Sequence, residues 1–291
     1  MRLLQASALV GLLLCALIVR ASEPQWRTLD PENTLYMQVE GGTVVIELNP
    51  QFAPQTVAQI KQLVRHGFYD GQTFYRVIDG FVAQGGSGED EQGPATGPQN
   101  HPLVKILPME ASIDSLKPTD FTLVQQEDLF AGQTGFVQGF GAARHEQGNT
   151  TWLTHCPGAL GLSRSNHPVS GTTDFYIVIG QAPRYLDNIM TLFGRVIYGM
   201  DKVQRIRRAS LAEAGMIADK RRQSVIEWVK VAADMPAKER LALEVERTDS
   251  PAFKAKLQAR IDRKHAFFYQ KPPRVLDVCQ VPVAVRLAAS E

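Results

Sequence analysis

Residues 73–86 read Thr-Phe-Tyr-Arg-Val-Ile-Asp-Gly-Phe-Val-Ala-Gln-Gly-Gly, and this stretch decides how the rest of the chain is read. Phe74, Val77 and Ile78 have strand-like composition, Asp79-Gly80 signals a turn, and Gly85-Gly86 ends the element. Arg76, Phe81 and Gln84 fall within nine residues. A guanidinium set among apolar groups must be paired or used, because an unpartnered charge is costly to bury. These residues predict a strand–turn–strand that carries one arginine and one amide on the face of a hydrophobic hollow.

Upstream, Thr34–Leu48 alternates apolar and polar residues on both sides of Gly41-Gly42, which predicts a β-hairpin. Pro54–His66 places Val57, Ile60, Leu63 and Val64 on one helical face, with Pro54 near the start and Gly67 past the end. Downstream, Ser87–Gly148 is rich in Gly, Pro, Gln and acidic residues, including Glu89-Asp90-Glu91. It reads as the least regular region, with short strand-like pieces at Val104–Leu107, Phe121–Gln125 and around Gly135–Gly141. Order returns with two core strands, one in Pro157–Ser165 and one in Asp174–Gly180.

The thirteen residues Phe74–Gly86, FYRVIDGFVAQGG, closely resemble the signature of the cyclophilins, the peptidyl-prolyl cis/trans isomerases. The order hairpin, helix, strand pair resembles the start of their barrel. Tyr185-Leu186-Asp187 and Leu192–Val196 are similar to the WLD…VFGKV segment of many members. Likeness extends over Leu35–Arg208, apart from an insertion at about 87–150, and to a last strand near Ser224–Val231. The resemblance implies a mainly β fold: a closed antiparallel β-barrel capped by helices, spanning about 30–232. Residues 233–291 would form a small α/β C-terminal extension, with charged helices at Pro236–Arg247 and Pro251–Phe268 and a strand-like tail over Arg274–Leu287. An intramolecular brace packed on the barrel and a partner-binding arm are the two roles open to that extension.

The resemblance also implies a site. Arg76, Phe81 and Gln84 would be catalytic, with Arg76 addressing the prolyl nitrogen, Phe81 providing the pocket floor and Gln84 holding Arg76 and bonding a substrate carbonyl. Val82, Ser163, Tyr176, Tyr185, Leu186 and Met190 would bind substrate. Several of these depart from the family pattern: Val82 stands for Met, Tyr185 for Trp, Met190 for His, Tyr176 for Phe, and Asp174 for Gln. Phe193 reads as core. The implied activity is rotation about X-Pro bonds with proline-containing polypeptides as partners and no cofactor. The alternatives are a proline-peptide binding or chaperone module with little turnover, and a scaffold carried by the insertion and tail.

Composition bounds the remaining classes. A formal charge of +1 gives no basic field for nucleic acid, and His145, His155, His167 and Cys156 lack metal-ligand spacing. Met1–Ala21 combines Arg2, an apolar run over Leu3–Val19 and a small-residue site at Val19-Arg20-Ala21, the pattern of a secretory signal peptide. The expected product is a periplasmic or secreted monomer with no stable membrane insertion after cleavage. Cleavage leaves Cys156 and Cys279, for which a disulfide and two buried free thiols both stand as readings.

Overall fold

A computed structural model describes residues 24–88, 102–114, 116–147 and 149–288. The expected signal peptide and the acidic run Glu89-Asp90-Glu91 lie outside the described residues. In chain order the strands and helices are β1 (Trp26–Thr28), β2 (Thr34–Val39), β3 (Gly42–Leu48), α1 (Pro54–Arg65), β4 (Thr73–Val77), β5 (Val82–Gly86), β6 (Thr122–Gln126), β7 (Gln133–Val137) and β8 (Phe140–Arg144). They continue with β9 (Thr151–Leu153), β10 (Ala159–Leu162), β11 (Phe175–Val178), β12 (Leu192–Tyr198), α2 (Met200–Val203), β13 (Ser224–Val231), β14 (Leu243–Glu246), α3 (Pro251–Asp262) and β15 (Val285–Leu287).

The first hairpin forms as its alternation predicts, with β2 and β3 paired from Thr34↔Glu47 to Val39↔Gly42. Strands β10-β11-β5-β4-β13-β2-β3-β12 close into an antiparallel barrel in that order, so no sheet edge is left open. Its interior is filled by alternate residues, among them Val44, Ile46, Phe74, Val77, Ala83, Ile177, Phe193 and Ile226. The four apolar residues expected on α1 are all buried against this core. The N-terminus of α1 has no cap of its own. Instead the Glu110 carboxylate, from the insertion, accepts from the backbone N–H of Gln55 (2.9 Å) and Thr56 (2.8 Å), a favourable place for negative charge.

The insertion is more regular than its composition suggests. Strands β6 to β9 form a four-stranded antiparallel sheet in sequential order. Val104–Leu107 is not a strand; it contributes only an isolated bridge between Leu107 and Gly171. One side of the sheet supplies Phe121, Val137, Phe140, Ala142 and Leu153 to a second apolar cluster, which includes Val82, Ala159, Tyr176, Val178 and Leu192 from the outer face of the barrel. The other side supplies Val124 and Phe136 to a third cluster with Phe253 and Leu257 of α3 and Leu276, Val278 and Val281 of the tail. The insertion sheet is thus a middle layer between barrel and extension.

The extension corrects one expectation. Pro236–Arg247 is not a helix: it holds a 3₁₀ turn at Ala237–Glu239 and then β14, which sits between β1 and β15 in a three-stranded sheet. Alternation of Leu243 and Val245 against β1, from the opposite end of the described chain, outweighs the helical leaning of Lys238-Glu239-Arg240. The second helix ends at Asp262, earlier than Phe268, where Arg263 takes a left-handed φ of 49°. The tail is strand only at Val285–Leu287. Cys156 and Cys279 form a disulfide that ties the entry to β10 to this tail.

Candidate active site

The site is built from the register of four neighbouring strands. Arg76 on β4 faces Gln84 on β5, Gln84 faces Tyr176 on β11, and Tyr176 faces Gly161 on β10. Residues directly opposite one another in a sheet share a face, so these four form a row across the outside of the barrel. The register of β4 slips between Phe74 and Arg76, leaving Tyr75 as the extra residue of a bulge. With regular alternation Phe74 and Val77 would face opposite ways. The bulge lets both enter the core while consecutive Tyr75 and Arg76 both reach the outer face beside Gln84.

Hydrogen bonds fix the polar part of the row. Arg76 Nη1 donates to Gln84 Oε1 (3.1 Å), and its Nε donates to the Ala214 carbonyl (3.3 Å). The Gln84 amide nitrogen donates to Tyr75 Oη (2.6 Å) and to Ser163 Oγ (2.7 Å). Both N–H groups of Gln84 are thereby committed, so its side chain positions Arg76; an additional bond to a substrate carbonyl would require one of them to break. Tyr75 donates in turn to the Asp174 carboxylate (2.9 Å). That carboxylate is fully buried and also accepts from the backbone N–H groups of Ser87 (2.7 Å) and Gly88 (2.8 Å) and from the Ser87 and Thr173 hydroxyls. A ring of donors therefore satisfies the buried Asp174 carboxylate. The second glycine of the motif fits this arrangement: Gly86 has φ 131°, and a Cβ there would stand 2.3 Å from Asp174 Oδ1.

Phe81, Val82, Tyr176 and Met190 come together in one apolar cluster, and Phe81 and Met190 remain partly exposed at its margin. Ile113 and Leu116 of the insertion pack into the same cluster. Composition carried no signal for these two, because their place depends on how the insertion folds back. Tyr185 is 64% exposed and Leu186 is half-buried on one 3₁₀ turn, Arg184–Leu186, and neither is packed into the cluster. Ser163 is buried and serves as the second acceptor for Gln84.

Tyr176 is held from behind. Its hydroxyl lies 2.9 Å from Nε2 of the fully buried His155, whose Nδ1 lies 2.8 Å from Asp187 Oδ1. Burial, with the Asp187 charge adding to it and Arg164 opposing, pushes the Tyr176 hydroxyl far above the usual phenol range, so it stays neutral. Asp187 also pairs with Arg184. The wall residue Tyr176 and the turn bearing Tyr185 and Leu186 are therefore joined through His155, a residue that sequence reading left without a role. The site can offer a planar cation and a phenylalanine edge to a bound chain, over an apolar wall partly screened from water. No cluster of metal-binding type occurs among the described residues.

Comparison with known proteins agrees with this geometry. The family model for cyclophilin-type peptidyl-prolyl cis-trans isomerases matches residues 34–231. A probable peptidyl-prolyl cis-trans isomerase of Brucella suis is 34% identical over 65% of this chain and 78% of its own length. Peptidyl-prolyl cis-trans isomerase B of Bacillus subtilis is 29% identical over 57% of this chain and 84% of its own. Among solved structures, the cyclophilin AquaCyp293 of Hirschia baltica superposes with a TM-score of 0.69 at 28% identity, covering 91% of this chain and 95% of that one. That match reaches beyond the span of the family model, into the extension. With its barrel, its motif and these matches in agreement, the chain belongs to the cyclophilin family.

Proposed function

We propose that this protein accelerates cis/trans rotation about X-Pro bonds in exported polypeptides, by non-covalent stabilisation of the twisted amide. The observation that carries the reading is the row Arg76–Gln84–Tyr176, with Arg76 held by Gln84 next to Phe81 and Val82. Rotation removes amide resonance against a barrier of about 20 kcal/mol, and no bond is made or broken. As resonance is lost, the prolyl nitrogen becomes pyramidal and able to accept a hydrogen bond. A donor fixed at that nitrogen therefore binds the transition state better than either ground state. Arg76 suits this role because its guanidinium is planar, permanently charged and oriented before substrate arrives. Phe81, Val82, Tyr176 and Met190 would seat the proline ring, with Tyr185 and Leu186 flanking it, and Ser163 would act through Gln84.

Export is supported by the signal-like Met1–Ala21 and by the pairing of Cys156 with Cys279, a bond that persists in oxidising compartments. The test is turnover of a short Ala-Pro-Phe peptide by the mature protein beside Arg76→Ala, with circular dichroism to check the fold. Turnover should fall by about 10² in the variant, the loss typical for one transition-state donor. A wild-type protein that binds such peptides without turning them over would instead be a proline-peptide binding module.

A further inference from the structure

The insertion places two large apolar side chains where folding does not need them. Leu129 and Phe130, at the tip of the β6–β7 hairpin, are 87% and 47% exposed. Tyr185 at 64% and Ile189 at 47% lie along the turn to which this tip is fastened. The fastening is specific. Asp128 accepts from the backbone N–H of Phe130 (3.0 Å) and pairs with Arg184 (3.1 Å), and both charged side chains are at least nine-tenths buried. The Arg184 guanidinium also lies 5.5 Å from the centre of the Phe130 ring. Glu127 N–H to the Gly132 carbonyl (2.8 Å) closes the tip.

A buried ion pair is a weak source of stability, and its dependable effect is to fix geometry. Here it fixes the hairpin tip that carries Leu129 and Phe130 against Arg184, which Tyr185 directly follows in sequence. A rigid, exposed apolar patch is a feature of interaction sites. We infer that Leu129, Phe130, Tyr185 and Ile189 form a platform that extends the proline site and binds aliphatic or aromatic side chains flanking the proline of an unfolded polypeptide. The inference rests on the isomerase reading for where the proline sits. Two observations favour an extended chain over a folded partner. The platform adjoins the candidate site along the chain, because Ile189 directly precedes Met190 of the apolar cluster. Its four side chains also offer far less than the roughly 1,200 Å² of a stable protein interface, which suits weak and releasable binding.

The test uses two short fluorescent peptides sharing a central Ala-Pro, one with Leu and one with Ser at the outer positions. Wild-type protein should bind the Leu peptide about tenfold more tightly, the scale expected for partial burial of one or two such side chains. In the double variant Leu129→Ser/Phe130→Ser the two peptides should bind alike, at the wild-type affinity for the Ser peptide. Equal binding by the wild type, or a preference that survives in the variant, would overturn the inference. So would concentration-dependent dimerisation of the wild type that the variant loses, since that would assign the patch to a second copy. Turnover measured in parallel keeps the two proposals apart: a preference for Leu without turnover would leave the platform standing and remove the isomerase.

Discussion

Gly161 and Tyr176 face one another across β10 and β11 so closely that a Cβ on Gly161 would lie 2.1 Å from Tyr176 Cζ and 2.2 Å from its Oη. The tyrosine at this wall, where the family usually has phenylalanine, therefore depends on a residue with no side chain opposite it. Gly161→Ala should destabilise the protein by about 1–3 kcal/mol through overpacking, and should weaken binding of proline peptides by displacing the ring. Adding Tyr176→Ala to Gly161→Ala should cost less than the sum of the two single changes, because one removes the obstacle to the other. Urea unfolding of the four proteins measures this coupling, and additive costs would show that the contact is not shared.

The Asp174–Tyr75–Gln84–Arg76 chain predicts a division of labour. Tyr75→Phe removes the hydroxyl that accepts from Gln84 and donates to Asp174. Gln84 keeps its bond to Ser163, so Arg76 is loosened without being lost. Turnover should fall several-fold, well short of the loss in Arg76→Ala, with peptide affinity little changed. Steady-state kinetics that showed a raised KM at unchanged kcat would place Tyr75 in ground-state binding instead.

How far the site could be read in advance depends on how local its causes are. The placing of Arg76 and Gln84 side by side, with Phe81 close in sequence, was legible because the hairpin that presents them is a single run of residues with its own turn signal. The α1 face was legible because its periodicity is complete within one helix. Tyr75 was not, since the bulge that turns it outward appears only when β4 is set in register with β5. The insertion sheet was legible only in pieces, at β6, where Phe121–Gln125 reads as strand-like, and around Gly135–Gly141, and the rest was not for a related reason. Strand β8, Phe-Gly-Ala-Ala-Arg, has no β-branched residue and gains its place by packing on Val82 and Tyr176. His155 gave no signal because its two partners, Tyr176 and Asp187, are 21 and 32 residues away. Pro236–Arg247 misled because its strand is fixed by two partners distant in sequence, β1 near the other end of the chain and β15, 42 residues further on.

Acid should weaken the join between barrel and insertion. Glu47, on β3, is buried, which by itself would raise its pKa, but Arg195 and Arg27 outweigh this and hold the carboxyl below its ordinary 4.5. Arg27 reaches Glu47 at 2.6 Å, and Arg195 reaches it at 2.9 Å while also donating to the Gly139 carbonyl of the insertion. With a lowered folded pKa, the unfolded state binds the proton more readily. The stabilisation is therefore complete above pH of about 4.5 and is withdrawn as the pH falls through the lower folded value. The Tm of wild-type protein should drop between pH 6 and 3.5 by more than that of Glu47→Gln, which starts lower and has less to lose. Parallel Tm curves for the two proteins would rule out this carboxylate as a source of acid sensitivity.

Reduction should act on the layer that buttresses the site. The bond between Cys156 and Cys279 spans 123 residues, a loop whose closure in the unfolded chain is worth up to about 5 kcal/mol on entropy alone and more commonly 2–4. It joins the start of β10, which leads to Gly161 and Ser163, to the tail that packs with α3 on the far side of the insertion sheet. Cys279→Ser should therefore lower the free energy of unfolding by about 2–4 kcal/mol, and a thiol reductant should have the same effect on wild type and none on the variant. The loosening should appear first in α3 and the tail, where Phe253 and Val278 lose the covalent tie behind their packing, and hydrogen exchange resolves this. Strands β4 and β5 are held by barrel closure, so Arg76 should keep its geometry and short-peptide turnover should survive reduction at temperatures below the lowered Tm. Loss of turnover in step with the disulfide would mean that the tail sets the shape of the site through β10.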